Sequence, residues 1–250
     1  MHQEESTPLG PRSFVVLFPV RYDEGISKHA SVSLQELNQS KLGWLKIPED
    51  REPEISLHQN YEDNQIREYQ ATAKYTQRVG TSRVRTETSF KIVQRKGGCG
   101  IAFGCPSFLG KLTAALYSQA VFDEAGGFMV KNFEKRDFQK FWDYALKIGG
   151  TLRDVHLRDI EGGKISVYRV SGKDILRAKG IGNLVELLKH ANRIKRLGFG
   201  FPPNCLSDSA FHFWIANWGG GTLYEPPEPS SYHLFALADF FEQALREREG

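Results

Sequence analysis

The stretch RDVHLRD, residues 153–159, sets one imidazole among carboxylates and guanidiniums. On a strand, side chains alternate between faces, so Asp154, His156 and Arg158 share one face while Arg153, Val155, Leu157 and Asp159 share the other. A histidine beside a carboxylate and an arginine is the kit for moving a proton next to a phosphate. His156 is therefore the candidate general acid or base, and Asp154 its orienting or metal-facing carboxylate, for a phosphodiester-processing reaction. The same three groups also suit the solvated face of an edge strand, and both readings stand at this point. Asp154 and Asp159 face opposite ways and make no two-metal pair.

A second stretch, ILRAKGIGNLVELLKHANRIKRLGFGF at 175–201, concentrates positive charge. Its periodicity predicts a helix over 181–197, with Ile181, Leu184, Leu187, Leu188, Ala191 and Ile194 on the packing side. Lys189, Asn192, Arg193 and Arg196 fall opposite, and Lys195 sits at the rim. Lys189, Arg193 and Arg196 would then form a ridge for phosphates. Cations in a last helical turn also suit the negative end of the helix dipole, with Gly198 and Gly200 as the stop. Gly180-Ile-Gly182 lacks the third glycine of a dinucleotide fingerprint and the Gly-Lys-Ser/Thr of a P-loop.

Between 61 and 85, Tyr61, Tyr69 and Tyr75 interleave with Arg67, Lys74, Arg78, Arg83 and Arg85. Aromatic and basic residues in alternation provide stacking and phosphate neutralisation, which adds Arg83 and Arg85 to the candidate nucleic-acid set. Protein interfaces enrich tyrosine and arginine as well. No cofactor and no metal site is expected. The histidines are scattered, with no His-Glu-x-x-His pair, and Cys99 and Cys105 are too widely spaced for a metal knuckle. No Gly-x-Ser-x-Gly elbow is present.

These residues need a scaffold. SFVVLFPV at 13–20 predicts an interior strand, and RVRTETSFKIVQR at 83–95 a half-buried one. Helices are expected from about Pro106 to Phe122, over NFEKRDFQKFWDYALK, and over YHLFALADFFEQALRE; GGGTLYEPPEPSS reads as a glycine-rich loop. Residues 47–80 are the most polar part, a long excursion or an edge hairpin. Elements interleave without strict β-α alternation. That predicts a single domain over 1–250 of α+β class: a mixed, mainly antiparallel sheet with helices packed on one or both faces.

The 33 Lys and Arg against 30 Asp and Glu leave a net charge of +3, so any polyanion would depend on how charge is distributed. No apolar run reaches the roughly 20 residues of a membrane helix, no signal peptide is read at the start, and three cysteines form no disulfide framework. A cytoplasmic protein without membrane association is expected. The function expected from these readings is nucleic-acid binding through backbone contacts, DNA or RNA, with phosphodiester processing if His156 acts. The alternative is a non-enzymatic protein-interaction role, as inhibitor, adaptor or assembly subunit.

Overall fold

Strand β1 (Ser13–Val20) buries both of its faces: Phe14, Val16 and Phe18 point to one side, Val15 and Leu17 to the other. A strand apolar on both sides belongs between two layers. The computed structural model describes residues 12–20, 53–79, 81–120, 127–160, 167–175, 188 and 191–246. In it β1 lies near the middle of one broad sheet. On one side of β1 run β5 (Gly100–Phe103), β4 (Ser82–Arg95), β3 (Ile66–Val79) and the edge strand β2 (Glu54–Glu62). On the other run β11 (Gly220–Glu225), β10 (Phe211–Ala216), β9 (Ala191–Phe201), β7 (Thr151–Ile160) and the edge strand β8 (Val167–Ser171). A short β6 (Gly127–Met129) pairs with the end of β1.

The expected mixture of strand directions does not occur among the described pairings, all of which are antiparallel. The chain is sheet-rich, with three described α-helices: α1 (Gly110–Ala120), α2 (Lys135–Lys147) and α3 (Ser231–Arg246). None of them is long and apolar enough to cross a membrane.

Helices α2 and α3 pack on one face. The stripe Phe138, Phe141, Trp142 and Ala145 of α2 is buried, as is Leu234, Leu237, Phe240 and Phe241 of α3. They meet Phe199, Phe201 and Phe213 from the sheet. Each buried Phe contributes about 1.5–3 kcal/mol, and edge-on ring pairs such as Phe133–Phe141, with centroids 4.9 Å apart, add to it. Helix α2 starts where the Asp137 carboxylate accepts the Glu134 N–H at 2.9 Å and holds Lys131 at 2.9 Å. It stops at Gly149, whose φ of +85° is open to glycine at little cost.

Among the described residues, the opposite face is covered over only part of its width. Leu109, Ala114 and Tyr117, from α1 and the turn before it, pack with Val15, Leu17, Ala71, Ala73, Phe90 and Ile92 of β1, β3 and β4. The Tyr117 hydroxyl donates to Gln94 Oε1 at 2.7 Å, tying α1 to β4. Beyond β1, on β11, β10, β9, β7 and β8, no described helix lies on this face.

Two expected elements are corrected. The helix predicted over 181–197 gives way to strand from Ala191 onward, because 191–201 is β9. Leu188 is helical, and the remainder of 176–190 lies outside the described residues. A bulge explains the misleading period. His156 pairs with Arg196 and Leu157 with Ile194, so Lys195 is the extra residue and the core-facing Ile194 and Leu197 sit three apart, as on a helix. The glycine-rich segment GGTLYE is β11, not loop. Gly221 leaves room there for the Phe14 ring and the Trp214 carbonyl, which an added Cβ would meet at 2.7 and 1.9 Å.

Candidate nucleic-acid interface

The half of the sheet face on which no described helix lies, called bare below, is built in cross-strand rows. Trp214, Gly198, Asp154 and Ser171 lie side by side on β10, β9, β7 and β8. The next row holds Arg196, His156 and Arg169, and the one after it Arg193, Arg158 and Val167. Alternation requires all of these to share a face, because Leu157, Leu197 and Phe213 between them point into the core with α2 and α3. Asp154, His156 and Arg158 do fall together. Arg153 departs from the sequence reading: the register shifts between Leu152 and Asp154, and Arg153 turns to the bare face.

The Gly-Phe-Gly-Phe run of β9 now has a reason. Phe199 and Phe201 fill the core, while Gly198 and Gly200 present no side chain to the bare face. A Cβ on Gly198 would come within 2.7 Å of Asp154 Cβ, and one on Gly200 within 2.0 Å of Arg153 Nε. Neighbouring side chains therefore lie flat across β9. Arg153 Nε is buried and has no hydrogen-bond partner.

A chain of contacts links four strands. Arg196 donates to both Asp154 oxygens, at 2.7 and 3.1 Å. Its guanidinium also lies over the Trp214 ring, 4.9 Å from the centroid, as cations over indole do. Trp214 Nε1–H donates to the Tyr224 hydroxyl at 2.9 Å, and the Tyr224 ring lies against His212, tilted by 33° with centroids 4.8 Å apart. Asp154 thus holds Arg196, a role different from orienting His156. Arg158, Arg169 and Arg193 are exposed on the same face.

Burial holds the His156 pKa below its usual value, and the positive charges of Arg196, Arg158 and Arg169 reinforce this, Asp154 opposing weakly. His212 is lowered for the same first reason, with Arg153 adding to it and Glu225 and Asp154 opposing. Both imidazoles are therefore biased to the neutral form near pH 7.

The other candidates are dispersed. Lys189 lies outside the described residues. Arg83 and Arg85 sit on β4, five strand positions from β9, or roughly 24 Å at the usual inter-strand spacing. They also share a face with Val93, which packs toward the α2–α3 side, so they point away from the bare face. Arg85 pairs with Glu54 at 2.8 Å. Of the three tyrosines, Tyr69 and Tyr75 are buried under α1, and Tyr61 is exposed. No continuous groove joins the two basic regions through these residues.

Sequence reasoning missed Arg153, Arg169, His212 and Tyr224 as members of the site. Period-two alternation in FHFW and VYRV was the available signal, but it says which residues share a strand face, not which strands are neighbours. Among the described residues, no group of three or more His, Cys, Asp or Glu side chains converges to hold a metal. The three cysteines are free; burial pushes the Cys105 thiol up to about 12 and raises Cys99. Compared with known proteins, the chain matches no protein family and no curated sequence.

Proposed function

We propose that this protein binds single-stranded nucleic acid across the bare half of its sheet. One observation carries the reading: Arg158, Arg169 and Arg193 stand exposed in adjacent cross-strand rows, beside an aromatic group of Trp214, Tyr224 and His212. Arginines neutralise phosphates in sequence-independent contacts. Aromatic rings stack on bases, which a duplex keeps stacked on one another and a single strand exposes. A net charge of only +3 is no obstacle, because the arginines are clustered on one face. Cytoplasmic action is part of this reading and fits three free cysteines.

Phosphodiester processing is the second reading, favoured by the place of His156 between Arg196 and Arg169 in one cross-strand row. A neutral imidazole can accept a proton from an attacking hydroxyl, and the surrounding arginines suit developing charge on phosphorus. Replacing His156 with Ala should then abolish cleavage and leave binding in place.

Fluorescence anisotropy with labelled single-stranded DNA, single-stranded RNA and duplex DNA, over a salt series, tests the binding. Affinity for single strands that falls steeply with salt and drops in Arg158→Glu/Arg169→Glu/Arg193→Glu supports it. Equal affinity in the triple variant overturns it. Absence of binding at moderate salt turns the face over to a protein partner.

A further inference from the structure

We infer that the bare face ends in a subsite for one nucleotide, in the cleft between the aromatic group and the end of β8. This rests on the nucleic-acid reading and adds a place where a single base is held. The cleft has a volume of about 410 Å³, within the roughly 300–1,000 Å³ of small-molecule sites. One wall is His212, Trp214 and Tyr224; the other is Ser171–Lys173; Arg153 and Asp154 lie between them.

Each wall matches a different part of a nucleotide. Tyr224 is 41% exposed and His212 lies tilted against one side of its ring, so its remaining surface can take a base. The Tyr224 oxygen accepts from Trp214, which leaves its own hydrogen to donate to a base edge. Lys173 is exposed at the opposite wall and provides a cation for the phosphate. Arg153 Nε has no partner inside the fold, so the guanidinium is not held by a full set of protein acceptors. Asp154, with both oxygens bonded to Arg196, is neutralised and does not repel the ligand.

The shared chemistry is a base carrying a phosphate, either as a unit of a strand or as a free nucleotide. The Pro-rich cleft lined by Arg12, Lys91, Phe90 and Phe103 is a weaker candidate. It also takes in Glu228, and its lysine is already paired with Glu68 at 3.3 Å.

The test compares an intact oligonucleotide with one of equal length built wholly from abasic residues, on wild type and on Tyr224→Leu and His212→Leu. Thermal melting checks that both variants fold. Wild type should bind the intact strand about 5- to 150-fold more tightly, the range for loss of one stacked base. In the variants that preference should shrink toward unity, while salt-dependent binding of the abasic strand persists. Wild type that binds both strands equally overturns the subsite and leaves the backbone reading standing. If neither strand binds, the backbone reading has failed first. A preference unchanged in both variants puts the base elsewhere and also overturns the subsite. Displacement of the intact strand by a 5′-mononucleotide at low millimolar concentration identifies free nucleotide as an occupant; no displacement assigns the cleft to the strand alone.

Discussion

Two halves of one sheet face are made from similar backbone and are finished differently. Under α1, β3 carries Ala71 and Ala73, with Phe90 and Ile92 beside them on β4, and the helix closes over all four. On the far half, β9 carries Gly198 and Gly200, and what lies over them is the Asp154 side chain and the Arg153 guanidinium. Small residues serve opposite ends in the two places. Alanines allow a helix to approach and exclude water; glycines allow charged side chains to lie against the backbone while arginines around them remain wet. On the other side of this far half, β11, β10, β9 and β7 present an apolar surface that packs with α2 and α3. Among the described residues, the face over β9 and β7 carries charged side chains where the face over β3 and β4 carries a helix.

The comparison is most severely tested by placing charge in each half. Ala71 is fully buried, so Ala71→Glu should cost more than about 3 kcal/mol or prevent folding, because it buries an unpaired carboxylate. Arg158→Glu should stay within about 0.5 kcal/mol of wild type. Urea unfolding reads both, and a tolerated Ala71→Glu would mean that α1 does not seal its half. Next in size is ligand affinity. The triple reversal of Arg158, Arg169 and Arg193 should weaken single-strand binding by about 100-fold or more and flatten the log–log salt slope by about 2, as loss of three phosphate contacts requires.

Glycine replacement sharpens the contrast within β9. Gly198→Ala places a Cβ 2.7 Å from Asp154 Cβ and should cost about 1–3 kcal/mol by calorimetry, partly recovered in the double variant with Asp154→Ala. Gly200→Ala meets only the far end of the flexible Arg153 and should cost less.

The smallest expected effect is in pH. The folded state holds His156 below its unfolded pKa, through burial and then Arg196, Arg158 and Arg169, against Asp154. The unfolded chain therefore takes up more protons as pH falls through about 6.5, and this contribution to stability is lost on the acid side. A bound phosphate acts in the opposite sense, since it favours the imidazolium. Single-strand affinity at constant salt should rise a few-fold from pH 7.5 to 5.5. An unaltered profile in His156→Gln would detach His156 from the ligand.

Much of the scaffold was legible in the residues. The two-sided apolar run at 13–20 marked a central strand, and α2 was readable from its aromatic stripe and its terminal glycines. The shared face of Asp154, His156 and Arg158 followed from alternation alone. The site as a whole did not, for two physical reasons. The bulge at Lys195 inserts one residue into β9, which turns a period of two into a spacing of three and makes β9 read as helix, and the bulge at Arg153 in β7 turns that side chain to the other face. Arg169, Trp214 and Tyr224 join the site only through the neighbour order of β8, β7, β9, β10 and β11, which is a long-range property. Tyr69 and Tyr75 were misread because their polar flanks belong to the other face of β3.

The position of β1 has a consequence in time. It is translated before every other described strand, yet its sheet partners are Gly100–Phe103 and Gly220–Thr222, some 85 and some 205 residues downstream. Contacts this distant in sequence close slowly. Until Gly220–Glu225 has left the ribosome, β1 lacks its β11 neighbour, and pairing with β5 alone would leave β1 as an open edge. The aromatic group of this face is also the last part of it to be synthesised, because Tyr224 on β11 follows Trp214, His212 and every arginine of the face in the chain.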